Sequence, residues 1–295
     1  MTLAVAGWSQ ATLDVEPRFV SLGSFSAQNP ADDALNPGTT TLRITSPVPW
    51  SVYVTLVQPA RRLSDNVELP VERVRQLFPD MAQLCSYVPV LLDHGSGGNE
   101  AQTLSFDWQL AQTRIAQFLE EADPPGTYRF SVKFDVRNPD VPGTPPGIVV
   151  TTEFVILPVV EIDLITPNWA LEVDQPGEPA ESDPYFVRVR SNCAWALEAM
   201  WGGDLIQVGG QGRIDHSLAS WSVGGGDEWQ SLIPSYTPVS LVSLLVARGS
   251  APPPFSLAEA EIPFQLRVET APNTLAGGYS TDARFAVHMD EESSR

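Results

Sequence analysis

Histidines come first when residues are weighed for chemistry, since an imidazole beside a hydroxyl, thiol or carboxylate is a common route to acid–base or nucleophilic catalysis. His94, His216 and His288 are far apart in the chain, and none lies in a Gly-x-Ser-x-Gly or His-Glu-x-x-His context. Cys85 and Cys193 have no nucleophile signature around them. No phosphate loop or dinucleotide fingerprint follows a strand and opens a helix; Gly224-Gly225-Gly226 reads as a loop between strands. Carboxylates are plentiful because the whole chain is acidic, so pairs of them do not point to glycoside hydrolysis. The expectation is a protein that is not an enzyme, with no catalytic residue and no bound cofactor.

Two oxygen-rich stretches bear on calcium. They are Asp93–Glu100 and the segment with Asp135, Asn138 and Asp140. Neither has the ligand spacing of a calcium loop, and solvated turns account for both. The aromatics offer different chemistry. Trp221, Trp229 and Tyr236 surround the glycine run, and their ring faces suit stacking on a sugar or a partner side chain. This is a candidate aromatic loop for a glycan or host surface. The competing reading packs Trp221 in the core and lays Trp229 over an edge.

These residues have to be positioned by something, and the composition says what. The chain has 295 residues, enough for two domains that each bury a core without metals or disulfides. Charged residues make up only 18%, against 27 prolines and 21 glycines. Dense turn formers with β-branched runs predict an all-β fold. The net charge of −19 excludes nucleic acid as a partner, because phosphate binding is driven by Lys and Arg. It argues equally against an anionic membrane surface and suits an extracellular protein. No run of apolar residues is long enough to cross a membrane as a helix.

A signature occurs twice. An extended run leads into Ser46-Pro47-Val48-Pro49-Trp50 and again into Ser191-Asn192-Cys193-Ala194-Trp195. A Gly-x-Tyr or Gly-Tyr then opens a late alternating strand, at Gly126-Thr127-Tyr128 and at Gly278-Tyr279. The near-equal spacing predicts two tandem antiparallel β-sandwich domains of Ig-like type, from duplication. The division is 1–15 as an N-terminal arm or signal remnant, 16–157 and 158–290 as the sandwiches, and 291–295 as a polar tail. Leu13–Phe25 reads as one edge strand containing Pro17, and Pro47-Val48-Pro49 as a kink or strand switch. Val71–Met81 and Thr113–Glu121 read as short helices or strands. The apolar junction around Pro158 predicts a fixed angle between the domains. The cysteines sit at different repeat positions, so they are either inert thiols or a bridge between domains or subunits.

The Ser-Asn-x-x-Trp turn and the later Gly-Tyr strand resemble bacterial surface Ig-like domains of pilus, coat and cell-wall-associated proteins. The first copy departs from this pattern, with Pro47-Val48 in place of the Asn. The resemblance implies a structural or adhesive role and transfers no catalytic residue. The expected protein is therefore a secreted surface subunit that associates with itself. Its apolar N-terminal arm, with Leu3, Val5, Trp8, Leu13 and Val15, would complete a neighbour's sheet by strand addition. A monomeric adhesin using the aromatic loop is the alternative.

Overall fold

Burial with a period of two runs along most strands, the mark of a sheet with one face on a core. The computed structural model describes residues 11–25, 38–72, 86–108, 123–138, 146–165, 171–224, 228–231 and 244–290. Regular structure among them is almost entirely β-strand, as the composition predicts. The chain divides into two compact units, Met1–Leu157 and Pro158–Arg295.

The first unit contains β1 (Thr12–Glu16), β2 (Phe19–Phe25), β3 (Gly38–Ser46), β4 (Trp50–Arg62), β5 (Val90–Gly95), β6 (Gly98–Trp108), β7 (Gly126–Arg137) and β8 (Ile148–Ile156). One sheet has the order β1-β3-β6 and the other β2-β8-β7-β4-β5. Val15, Leu42 and Ile44 of the first sheet and Val52, Val54, Val132 and Phe134 of the second are wholly buried. Each such side chain contributes roughly 1.5–3 kcal/mol. Trp108 reaches across with its indole N–H donating to Thr40 Oγ1 at 2.7 Å, so this buried polar group is satisfied.

Two expectations about prolines had different outcomes. Leu13–Phe25 is not one edge strand. The chain breaks at Pro17, which has no N–H to give a ladder. β1 then pairs antiparallel with β3, while β2 crosses to the other sheet and pairs parallel with β8. The Pro47-Val48-Pro49 break is a strand switch, since β3 and β4 lie in opposite sheets. Of the two helix-or-strand segments, 113–121 and all but the first two residues of 71–81 lie outside the described residues.

The second unit contains β9 (Val160–Leu164), β10 (Leu171–Val173), β11 (Ala180–Glu181), β12 (Tyr185–Ser191), β13 (Trp195–Trp201), β14 (Leu205–Gln207), β15 (Arg213–Ile214), β16 (Ala219–Val223), β17 (Gln230–Ser231), β18 (Leu244–Gly249), β19 (Ala258–Val268), β20 (Gly277–Ser280) and β21 (Ala283–Met289). The largest sheet has the order β17-β16-β19-β12-β9, with β11 beside β19. Two smaller sheets are β18-β13-β21 and β10-β20-β14-β15. Trp201, Trp221 and Phe264 pack around the core centre, with ring centroids 6.1 Å and 6.3 Å apart. β16 was not expected from sequence, because its glycine-rich flank reads as loop.

Candidate functional site

Two pairs of residues set the frame in each unit. Ser46 Oγ donates to the Val48 carbonyl at 2.7 Å and accepts from the Val48 N–H. Ser191 Oγ does the same around Cys193, at 2.8 Å and 3.0 Å. These hydroxyl turns end one strand and start the next, four residues on, with a tryptophan. Trp50 stands opposite Gly95 and Trp195 opposite Gly249. Both ladders shift register two residues further along, at Val52/Tyr53 and at Leu197/Glu198.

The tyrosines lock the other end. Tyr128 Oη donates to the Pro124 carbonyl and Tyr279 Oη to the Leu275 carbonyl, each at 2.8 Å and four residues back. Each phenol ties the start of its strand to the turn just before it, a tyrosine corner. Burial pushes the Tyr128 phenol up. Gly126 and Gly277, two residues before each tyrosine, have φ of +143° and +131°, which side chains rarely adopt. The shared spacing is thus Gly-x-Tyr in both copies, with Gly277 rather than Gly278 as the counterpart of Gly126.

Between these anchors the ladders match residue for residue. In the first unit Leu56 faces Val132, Val54 faces Phe134 and Val52 faces Val136. In the second, Trp201 faces Ala283, Ala199 faces Phe285 and Leu197 faces Val287. β20 and β21 together are therefore the counterpart of β7.

The far edges differ. β7 pairs on its other side with β8, where Val132 faces Val150 and Phe134 faces Ile148. Among the described residues β21 pairs with β13 and with no strand on its other edge. Val136 is 1% exposed, whereas its counterpart Val287 is only half-buried, and Met289, opposite Trp195 at the end of the strand, is 48% exposed. Phe285 is half-buried and packs edge-on against Phe264 at 5.0 Å. An inward-facing apolar row on an edge that no described strand pairs with is a template for another strand. β21 is the candidate site.

The residues singled out from sequence fall elsewhere. Leu13 and Val15, read as part of a free arm, lie in β1 opposite Ile44 and Leu42, and Val15 is wholly buried. Their alternation serves their own sandwich, so an arm is confined to the residues before Thr12. Leu3, Val5 and Trp8 lie outside the described residues. The aromatic loop is not assembled as a loop. Trp221 is 1% exposed inside β16, because a strand with this period turns it into the core. Trp229 is half-buried with the Arg267 guanidinium 5.8 Å from its ring centroid, and Tyr236 lies outside the described residues. Of the oxygen-rich stretches, Asp93 accepts from the His94 N–H, and buried Asp135 pairs with Lys133 at 3.0 Å. Asp140 lies outside the described residues, as does Cys85. The Cys193 thiol is free, 3.4 Å from Ser191 Oγ, and burial pushes its pKa up, which suits an inert thiol.

One titratable cluster was missed. Asp204 Oδ1 accepts from the His216 N–H at 2.9 Å and lies 2.7 Å from His216 Nδ1, while Arg213 caps Oδ2. These bonds, the backbone one foremost, hold the Asp204 carboxyl down to about 2. Asp215 caps the short 3-10 turn His216–Leu218 by accepting from the Ser217 N–H and hydroxyl. Ser217 is therefore engaged with Asp215, not with the imidazole. Asp204, Asp215 and His216 are close enough to hold a metal ion. Both Asp204 oxygens are already occupied by His216 and Arg213, so the cluster acts as a hydrogen-bonded clasp on the turn. Twelve residues separate Asp204 from His216, and no local pattern announces their meeting.

No protein-family model matches the chain. No curated protein matches it either. Among solved structures it aligns with CfaE, the adhesive subunit of the CFA/I fimbria of enterotoxigenic Escherichia coli. That alignment has 12% identity over 85% of this chain and 73% of the other, with a TM-score of 0.36. A second match is the CsuC–CsuE chaperone–tip adhesion subunit complex of the Csu pili of Acinetobacter baumannii, at 9% identity, 94% and 100% coverage and a TM-score of 0.32. A third is the CupB6 tip adhesin of Pseudomonas aeruginosa, at 8% identity, 96% and 94% coverage and a TM-score of 0.29. These scores lie below those of chains that share one overall fold.

Proposed function

We propose that this chain is a secreted, non-enzymatic structural subunit of a bacterial surface assembly, joined to its neighbour by strand addition. The observation behind this reading is the edge of β21: among the described residues it pairs with β13 alone, whereas β7, which it matches in register, pairs on its other side with β8 from Gly126 to Phe134. In a water-soluble sandwich such an edge favours a further strand, which would satisfy its backbone groups and cover its apolar row.

Both units are Ig-like and descend from one duplicated sandwich. The repeated serine turns, the Trp–Gly pairs, the tyrosine corners and the common register support this. The donor is the N-terminal segment of a second copy. It carries Leu3 and Val5 at alternate positions and Trp8 beyond them, and Thr12 limits its length.

The test is light scattering and negative-stain microscopy of the full chain and of a variant lacking residues 1–10. Oligomers or filaments that disappear on truncation are expected. A monomer in both forms would overturn self-assembly.

A further inference from the structure

The solvent face of the β1–β3 pair carries a groove of about 730 Å3. It is lined by Asp14, Glu16 and Arg18 on one side and by Thr39, Thr41 and Arg43 of β3 on the other. The antiparallel register lays Asp14 opposite Arg43 and Glu16 opposite Thr41. Val15 and Leu42, which alternate with them, are wholly buried, so the polar side chains turn outward.

Most described arginines are engaged. Arg62 pairs with Asp65, Arg129 with Glu153, Arg188 with Glu261 and Arg267 with Glu269, while Arg137 lies over the ring of Tyr53. Among the described residues Arg18 and Arg43 have neither an ion pair nor a ring contact, in a chain of net charge −19. Both line this groove. Asp14, although opposite Arg43, uses its Oδ1 to accept from the Val15 N–H at 3.0 Å.

The second unit shows the same position with its arginine engaged. Arg188 precedes Trp195 by the same number of residues as Arg43 precedes Trp50. It faces Asp163 on β9, as Arg43 faces Asp14 on β1. On its other side β19 supplies Glu261, whose carboxylate lies 2.8 Å from the guanidinium. In the first unit β6 supplies Thr103 at that place. The second unit thus provides a carboxylate for its own arginine where the first provides a hydroxyl.

We infer that the groove binds a carboxylate-bearing sugar of the hexuronate class, and that the ligand carboxylate sits beside Arg43 as Glu261 sits beside Arg188. A planar carboxylate matches the guanidinium fork with two parallel hydrogen bonds. The other lining groups call for a ligand that both donates and accepts. Asp14 and Glu16 accept, Arg18 donates, and Thr39 and Thr41 can do either. The ring hydroxyls of a sugar meet all of these. Two carboxylates and two guanidinium groups also balance at neutral pH, so the groove suits a single ligand carboxylate. A doubly charged phosphate would be repelled by Asp14 and Glu16, and an uncharged sugar would leave the Arg43 fork unmatched. The groove and the β21 edge lie in different units, so neither reading depends on the other.

The experiment is a saturation-transfer NMR titration of the full chain with D-glucuronate, D-galacturonate and D-mannuronate. Each is compared with its neutral parent hexose and with acetate. At least one uronate is expected to bind, with its parent hexose weaker by roughly tenfold or more. Arg43→Gln, which removes the fork, should weaken uronate binding by a similar factor. So should Thr103→Glu, which places a carboxylate opposite Arg43 as Glu261 is placed opposite Arg188. Both positions are exposed, and an unchanged thermal unfolding midpoint shows that each variant is folded. Absence of uronate binding on the native chain, or undiminished binding by both folded variants, would overturn the site. Displacement of the uronate by acetate at equal concentration would overturn the sugar class.

Discussion

Trp195 and Gly249 stand opposite each other across the β13–β18 ladder, and the indole fills the space that a side chain at 249 would need. A Cβ there would lie 2.2 Å from the ring, and one at Gly95 would lie 2.6 Å from Trp50. Gly249→Ala forces a ring buried on all sides to move. The expected loss is about 1–3 kcal/mol, the usual range for overpacking. Gly95→Ala should behave in the same way. Urea unfolding checks both: the midpoint falls while its slope is unchanged.

Tyr128→Phe and Tyr279→Phe should not be equal. The Tyr128 bond to Pro124 is buried, so the phenylalanine leaves a carbonyl without water or partner. That costs about 1–3 kcal/mol. The Tyr279 bond is only partly buried and its carbonyl can recover water, so about 1 kcal/mol or less is expected. Thermal unfolding of the two variants side by side gives the ranking, and the reverse order would refute the burial argument.

Trp221 and Trp229 separate a core role from a binding role. Trp221→Ala should cost about 3–5 kcal/mol, since the ring packs on Trp201 and Phe264. Trp229→Ala should stay within about 1 kcal/mol. Glycan-array binding abolished by Trp229→Ala in a protein of unchanged stability would restore the adhesin reading.

Acid should loosen the clasp at Asp204. Its folded pKa lies near 2, below the unfolded value near 4, so the folded state binds fewer protons there. The stability it contributes is fully present above about pH 4 and is lost as pH falls towards about 2. Asp204→Asn should be less stable at neutral pH and should lack this part of the acid dependence. Unfolding midpoints measured from pH 5 down to 2 would show two converging curves, and parallel curves would refute the assignment.

Much of this was legible in the residues themselves. The Ser46–Trp50 and Ser191–Trp195 spacings and the Gly-x-Tyr openings are local devices: a hydroxyl turn, a glycine conformation and a hydrogen bond four residues back. Their geometry is set within a few residues of chain, so type and spacing suffice to announce them. The partners that the tryptophans and tyrosines meet are remote. Gly249 lies far from Trp195 in sequence and has no marker of its own.

What the sequence by itself determined is the all-β character, the paired signatures and the face that each alternating strand turns inward. Period-two patterning is a property of one strand, because successive side chains point to opposite sides. Only the tertiary structure decided which strand lies beside which. Backbone N–H and C=O groups are the same in every residue, so hydrogen-bond partners across a ladder leave no trace in composition. That is why Leu13–Phe25 read as one edge strand when the chain changes sheet at Pro17, why the loop and core readings of Trp221 both stood until its strand was placed, and why Asp204 and His216 met unannounced. It is also why the correspondence of β20 and β21 with β7 became visible only when their registers could be laid side by side.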